Sequence, residues 1–178
     1  TPFAIKPLLL KRALSRLLPE TIKIKNCQYA TESFHPRFDA RNKTYRYIIT
    51  KQHNPFLTRY SYYHRTNLAV DLMNQAASFL VGTHDFTSFC HAKSTANSKT
   101  RTINYLEVVE TKEQIIVWIN GDGFLYNMIR IIVGTLVLVG EQKISPAQVL
   151  TIKKKKNRRV AGMTMPPQGL FLVKINYS

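Results

Sequence analysis

RNKTYRYIIT, residues 41–50, sets Arg41, Lys43 and Arg46 among two tyrosines and two isoleucines. Side chains alternate along a strand. Lys43, Tyr45, Tyr47 and Ile49 therefore share one face, and Thr44, Arg46, Ile48 and Thr50 share the other. Each face grades from polar to apolar along its length. A strand of this kind runs from a wet groove at Lys43 into a core at Ile49. A tyrosine at the groove end offers a ring for a nucleobase, with Lys43 and Arg46 nearby for phosphates. The same pattern also describes two tyrosines half-buried in an ordinary sheet.

Outward from this strand, residues 7–18 (PLLLKRALSRLL) read as a helix. Leu10, Leu14, Leu17 and Leu18 form its apolar stripe, and Pro19 stops it. Residues 21–30 alternate in their first half and predict a strand. Residues 52–65 are a loop rich in His, Asn, Pro and Tyr. Residues 71–81 predict a helix with Leu72, Ala76, Phe79 and Leu80 on its apolar face, ended by Gly82 as a C-cap. Residues 83–100 read as a polar loop. Residues 101–110 and 114–120 predict a hairpin around Thr111-Lys112-Glu113. Residues 124–139 predict a long apolar helix. Ser145 caps a short one with Pro146 at its first position. Residues 169–177 close the chain as a strand. Strands and helices so interspersed predict a mixed α/β domain of the α+β type, with a mainly antiparallel sheet and helices on one face.

The 178 residues suffice for one domain with a sizeable core, or one and a half small ones. Twenty-six Lys and Arg against ten Asp and Glu give a net charge of +16, which calls for a polyanionic partner: RNA, DNA or an anionic membrane surface. Cys27 and Cys90 lie far apart and outside any CxxC pattern, which fits a reduced, cytoplasmic setting and no disulfide scaffold. The five histidines are scattered, so no metal site is expected. No signal peptide opens the chain, which starts with Thr1-Pro2-Phe3 rather than Met and runs into a helical pattern as though from mid-protein. Residues 124–140 reach the lower edge of a membrane span in length, but Arg130 and the soluble pattern around them argue against one.

Arg130 is the one charged residue in that apolar stretch. A buried guanidinium without an acceptor costs several kcal/mol or more, and arginine cannot shed its proton. It must therefore meet a carboxylate or phosphate at the edge of the core, or snorkel its head to water in a structural role. The run KKKKNRR, with Lys153, Lys154, Lys155, Lys156, Arg158 and Arg159, suits phosphates without reading base sequence. Such runs are ordinarily solvated.

Five blocks in this order resemble the tRNA pseudouridine synthase A family: FHPRFDARNKTYRYII (34–49), GTHDFTSF (82–89), KTRTI (99–103), GDGFLYNMIRIIVGTLVLVG (121–140) and PPQGLFLVKINY (166–177). The resemblance implies isomerisation of uridine to pseudouridine in the anticodon stem-loop of tRNA. It implies a flipped target base, no metal or organic cofactor, and an aspartate that does the covalent or proton-transfer work. It further implies that Tyr45 packs on the target uracil, that Arg130 pairs with the catalytic aspartate, and that Leu170 and Leu172 wall the pocket. Family members pair as homodimers, with tRNA lying across both subunits. The family's aspartate lies in an R-T-D-A-G-x-H motif, which is not found in these 178 residues. Asp39 and Asp85 fall in matching blocks but not at its place. The resemblance thus casts residues 1–33 as the remainder of an N-terminal half, residues 34–178 as the C-terminal domain, and the chain alone as inactive. The alternative from a different class is a non-catalytic RNA-binding module.

Overall fold

The computed structural model describes residues 5–177. The expected entry of Thr1-Pro2-Phe3 into a helix lies outside the described residues. The chain divides into two compact units, Thr1–Asp39 and Ala40–Ser178.

In the first unit, Pro7–Leu17 forms helix α1. Pro7 suits the first turn because its missing N–H is one that no helix position could satisfy. Leu18 is already extended, at φ −80° and ψ 147°, as the residue before a proline is pushed to be. The strand expected over residues 21–30 does not form: among the described residues this stretch joins no ladder. Alternation alone makes no strand when the backbone groups find no partner. The Lys11 ammonium instead donates to the Lys25 carbonyl at 2.8 Å, tying the stretch to α1.

The second unit carries β1 (Asn42–Thr50), β2 (Tyr62–Tyr63), α2 (Val70–Ser78), β3 (Gly82–Asp85), β4 (Thr100–Glu110), β5 (Gln114–Gly121), α3 (Met128–Gly140), α4 (Gln148–Lys155) and β6 (Leu170–Asn176). The sheet runs β2-β1-β5-β4-β3, and β6 pairs with β1 along the side it shares with β2. Only the short β1–β2 pairing is parallel. The β4–β5 hairpin is closed by Thr111, whose hydroxyl accepts from the Gln114 N–H at 3.0 Å. The predicted mixed, mainly antiparallel α/β fold is the one observed.

Pairing fixes which residues share a face. Tyr47 opposes Val117, Ile49 opposes Ile115, and Leu106 and Val108 oppose Ile119 and Val117. These side chains are buried in one core with Met73, Ala76 and Leu80 and the inner side of α3. The reverse face holds Arg46, Trp118 and Glu107 in one cross-strand row. At one end of the sheet the Asn120 amide donates to Asn42 (2.9 Å) and Thr44 (2.8 Å) and accepts from Asn104 (2.6 Å), joining β1, β4 and β5.

Four local expectations are corrected. Helix α2 ends at Ser78, capped by Phe79, and Gly82 opens β3 at φ +101° rather than capping the helix. Residues 83–100 are not a plain polar loop. They contain β3 and a 3₁₀ turn, Thr87–Phe89, and Phe86 and Phe89 are wholly buried. Burying two aromatic rings outweighs the polar residues between them. Helix α3 begins at Met128, not at Phe124, because Asn127 is left-handed at φ 60° and breaks the turn before it. Ala147, not Ser145, sits at the N-cap of α4. Ser145 takes part from its backbone, whose N–H donates to the Gln148 side chain at 2.7 Å, the return half of a capping box.

Candidate active site

Helix α3 is packed through two glycines, Gly134 on the helix and Gly162 beyond α4. A Cβ on Gly134 would stand 2.0 Å from the Met163 carbonyl oxygen, and one on Gly162 would stand 2.4 Å from the Gly134 carbonyl carbon. Segment 162–165 therefore lies directly on the helix backbone. Thr135 locks it: its hydroxyl donates to the Ile131 carbonyl at 2.9 Å and accepts from the Gly162 N–H at 2.9 Å.

This contact presents Met165 to Arg130. The Met165 N–H donates to the Arg130 carbonyl at 3.2 Å, and Arg130 Nε donates back to the Met165 carbonyl. Arg130 Nη1 donates to the Asn127 side chain at 3.0 Å. The guanidinium is half-buried on the first turn of α3, fixed by neutral acceptors. Among the described residues no carboxylate stands within ion-pair distance of it. Neutral acceptors satisfy its N–H groups but leave its charge uncompensated.

The next residue along, Pro166, accepts from the Tyr47 hydroxyl at 2.7 Å. Burial pushes the Tyr47 phenol far above its ordinary pKa; the Arg130 charge opposes that rise and Tyr62 adds to it. Tyr47 is thus a neutral, buried donor within the field of Arg130. Two residues back on the same face, Tyr45 is half-buried, and burial raises its phenol pKa too. Its ring meets Phe124 edge-on, with centroids 5.4 Å apart and an 85° tilt. Leu172 opposes Tyr45 and Leu170 opposes Tyr47 on β6, with a register shift at Thr44/Tyr45 that leaves Val173 unpaired. Bulges re-aim side chains beside functional sites. Leu172 is 49% exposed, so the β6 side of Tyr45 is open to solvent.

The structure therefore joins Arg130 and Tyr47 to the Met165–Pro166 segment, and sets Tyr45 opposite Leu172 and Tyr47 opposite Leu170 across β1 and β6. Lys43 lies at the open end of the Tyr45 face, opposite Gly121 and Ile175. Arg46 points to the reverse face, its guanidinium 5.9 Å from the Trp118 ring centre and 5.3 Å from that of Phe171. The basic run divides. The Lys153 ammonium donates to the Phe79 carbonyl at 2.7 Å, Lys156 pairs with Asp85 at 2.8 Å, and Arg158 donates to Thr164 at 3.1 Å. Lys154, Lys155 and Arg159 stay exposed. Sequence reading missed Asn127, Phe124, Tyr47 and Met165 as supports; the left-handed turn before α3 and the Gly134–Gly162 contact leave no periodic signal.

Both matching-block aspartates are engaged in local hydrogen bonds. Asp39 accepts from the His35 N–H at 2.7 Å. Asp85 accepts from Lys156 and from the Thr87 hydroxyl (2.6 Å) and N–H (2.9 Å), and the Lys156 hydrogen bond, then Thr87, hold its carboxyl at about 2. That lies below the ordinary range near 4. Its contribution to stability is full above the unfolded value and is lost as pH falls from about 4 to about 2. The site is partly solvated, so the loss is on the order of 1 kcal/mol or less. Asp85→Asn is expected to flatten that limb of an acid-unfolding curve; an unaltered limb shows that the clamp is idle.

The arrangement suits a planar base beside an anion, within a basic surface, which is the chemistry of an RNA-modifying protein. Residues 76–178 match the tRNA pseudouridine synthase family. The tRNA pseudouridine synthase A of Anoxybacillus flavithermus is 44% identical over 178 residues, covering 99% of this chain and 72% of the relative. That of Bacillus subtilis is 44% identical over 179 residues, covering 99% and 72%, and the tRNA pseudouridine synthase A 1 of Bacillus cereus is 40% identical over 180 residues, covering 100% and 73%. The chain belongs to the tRNA pseudouridine synthase family. It spans about 72% of the length of these relatives.

Proposed function

We propose that this chain supplies the uracil-binding and arginine-bearing part of an enzyme that isomerises uridine to pseudouridine in the anticodon stem-loop of tRNA. The observation that carries this reading is the convergence of Tyr47 and Arg130 on Met165–Pro166, with Tyr45 two residues from Tyr47 on the same strand face and opposite Leu172. The reaction breaks the bond from N1 of uracil to the ribose and makes one from C5. The base must turn in place, N1 must gain a proton, and C5 must lose one. A base flipped from its stack needs a ring to lie on and walls that do not compete for its polar edge. Tyr45 is the ring, and Leu170 and Leu172 are the walls. Arg130 pairs with the catalytic aspartate in the intact protein and keeps it ionised and aimed, since an adjacent cation favours the charged form. Lys43, Lys154, Lys155 and Arg159 take phosphates. Arg46, Lys153, Lys156 and Arg158 act on RNA only through the local structure that they hold. The reaction is internal to the nucleoside and calls for no cofactor. Two copies act as a homodimer on tRNA in the cytoplasm. Among the described residues no helix is long and apolar enough to cross a membrane.

Tyr45→Ala tests the stacking role. In the intact protein it is expected to lower the rate of tritium release from 5-tritiated uridine in tRNA by about ten- to a hundredfold, the scale of one lost base–aromatic contact. The tRNA affinity should fall far less, because phosphate contacts dominate it. Unchanged tritium release rules out Tyr45 as the platform.

A further inference from the structure

Residues 51–65, between β1 and α2, hold Lys51, Arg59 and Arg65 and no carboxylate. Phe56, 89% exposed, is an aromatic side chain displayed almost entirely to solvent, and Tyr60 is exposed at 57%. The display is built, not slack. The Asn54 side chain accepts from the Phe56 N–H at 3.0 Å, Thr58 donates to the Pro55 carbonyl at 2.9 Å, and Ser61 donates to the Leu57 carbonyl at 3.0 Å. Proline and an Asn cap thus fix a 3₁₀ turn, Pro55–Leu57, with its aromatic ring outward. Two cavities of about 280 and 230 Å³ flank the turn and share Thr50, His53 and Asn54. The first adds Glu113 and Gln114, and the second adds Tyr62, Tyr63 and Gln168. Gln168 belongs to the same turn as Pro166, the acceptor of Tyr47. Amide and imidazole groups offer donors and acceptors to a base edge. Glu113 repels a phosphate but accepts from a base N–H, such as the N3–H of uracil.

We propose that this turn and its two cavities bind an unpaired stretch of RNA beyond the target uridine, with Phe56 and Tyr60 as stacking platforms and Arg59 and Arg65 on the backbone. It rests on the reading that RNA is the substrate, and it concerns nucleotides other than the one isomerised. A duplex hides its base faces, whereas a single strand offers them.

The test is binding of the 178-residue chain to a short labelled oligouridine and to a blunt RNA duplex, over a range of salt. Phe56→Ala and Tyr60→Ala alter exposed side chains. Each is expected to weaken oligouridine about ten- to a hundredfold at every salt concentration, with the salt slope and the duplex affinity unchanged. Arg59→Ala should instead lower the slope by about 0.7. Unchanged oligouridine affinity in both aromatic variants overturns the proposal, as does an equal loss on the duplex or a wild-type chain that does not bind oligouridine. Silent aromatic variants beside a Tyr45→Ala that still slows tritium release sink this site and leave the uridine site standing.

Discussion

Replacing Arg130 with Met in the intact protein is expected to cut turnover about 30- to 4,000-fold while the protein still folds. The magnitude follows from removing one partner of a close charge pair, which costs about 2–5 kcal/mol, at about 1.4 kcal/mol per decade of rate. The folding cost is smaller. Arg130 gives hydrogen bonds to the Met165 carbonyl and the Asn127 side chain, and each neutral bond is worth about 1 kcal/mol net. Methionine keeps the apolar stem against α3. Arg130→Lys separates charge from shape: it keeps a cation but loses the planar fork that would reach Met165 and the proposed carboxylate together. It should recover little of the rate. Full activity of Arg130→Met, measured as single-turnover tritium release, assigns the arginine a structural role alone.

The second large effect is expected at Gly134. Alanine there would raise helix propensity by about 1 kcal/mol, yet its Cβ would stand 2.0 Å from the Met163 carbonyl oxygen and 3.1 Å from its carbon. Backbone on both sides leaves no side chain to swing away. Overpacking typically costs 1–3 kcal/mol, and this contact sits at the severe end. Gly134→Ala should lose about 3 kcal/mol, or roughly 6–12 °C in melting temperature for a chain of this size. It should also lower turnover, because segment 162–165 must lift and take Met165 away from Arg130. Gly162→Ala meets the same helix from the other side, at 2.4 Å, and should do the same. A more stable Gly134→Ala protein, as propensity alone would give, shows that the segment is loosely laid.

Much of this was legible in the sequence, for identifiable reasons. Strand β1 declared itself through alternation, and the grading of its Lys43–Ile49 face is matched by burial that deepens from Tyr45 to Tyr47 and Ile49. Arg130 stood out because a lone cation in an apolar helix has few places to go, and it is found half-buried against fixed acceptors. The hairpin followed from a short polar break between two apolar runs. What stayed hidden depends on contacts distant in sequence. Ser88 looks like a loop residue, but it is wholly buried and donates to the Ile152 carbonyl at 2.6 Å, so a polar-looking segment became core. Lys153 and Arg158 look like free charge until their carbonyl and hydroxyl partners are known. Alternation already put Arg46 on the face opposite Tyr45, but it could not show the Trp118 and Phe171 rings that it lies beside there.

The most direct test is a structure of the intact protein bound to a tRNA anticodon stem-loop. The target uracil should lie against the Tyr45 ring between Leu170 and Leu172, with the catalytic carboxylate in ion-pair contact with Arg130. A flipped base seated away from Tyr45, or Arg130 turned to a phosphate or to open solvent, would contradict it.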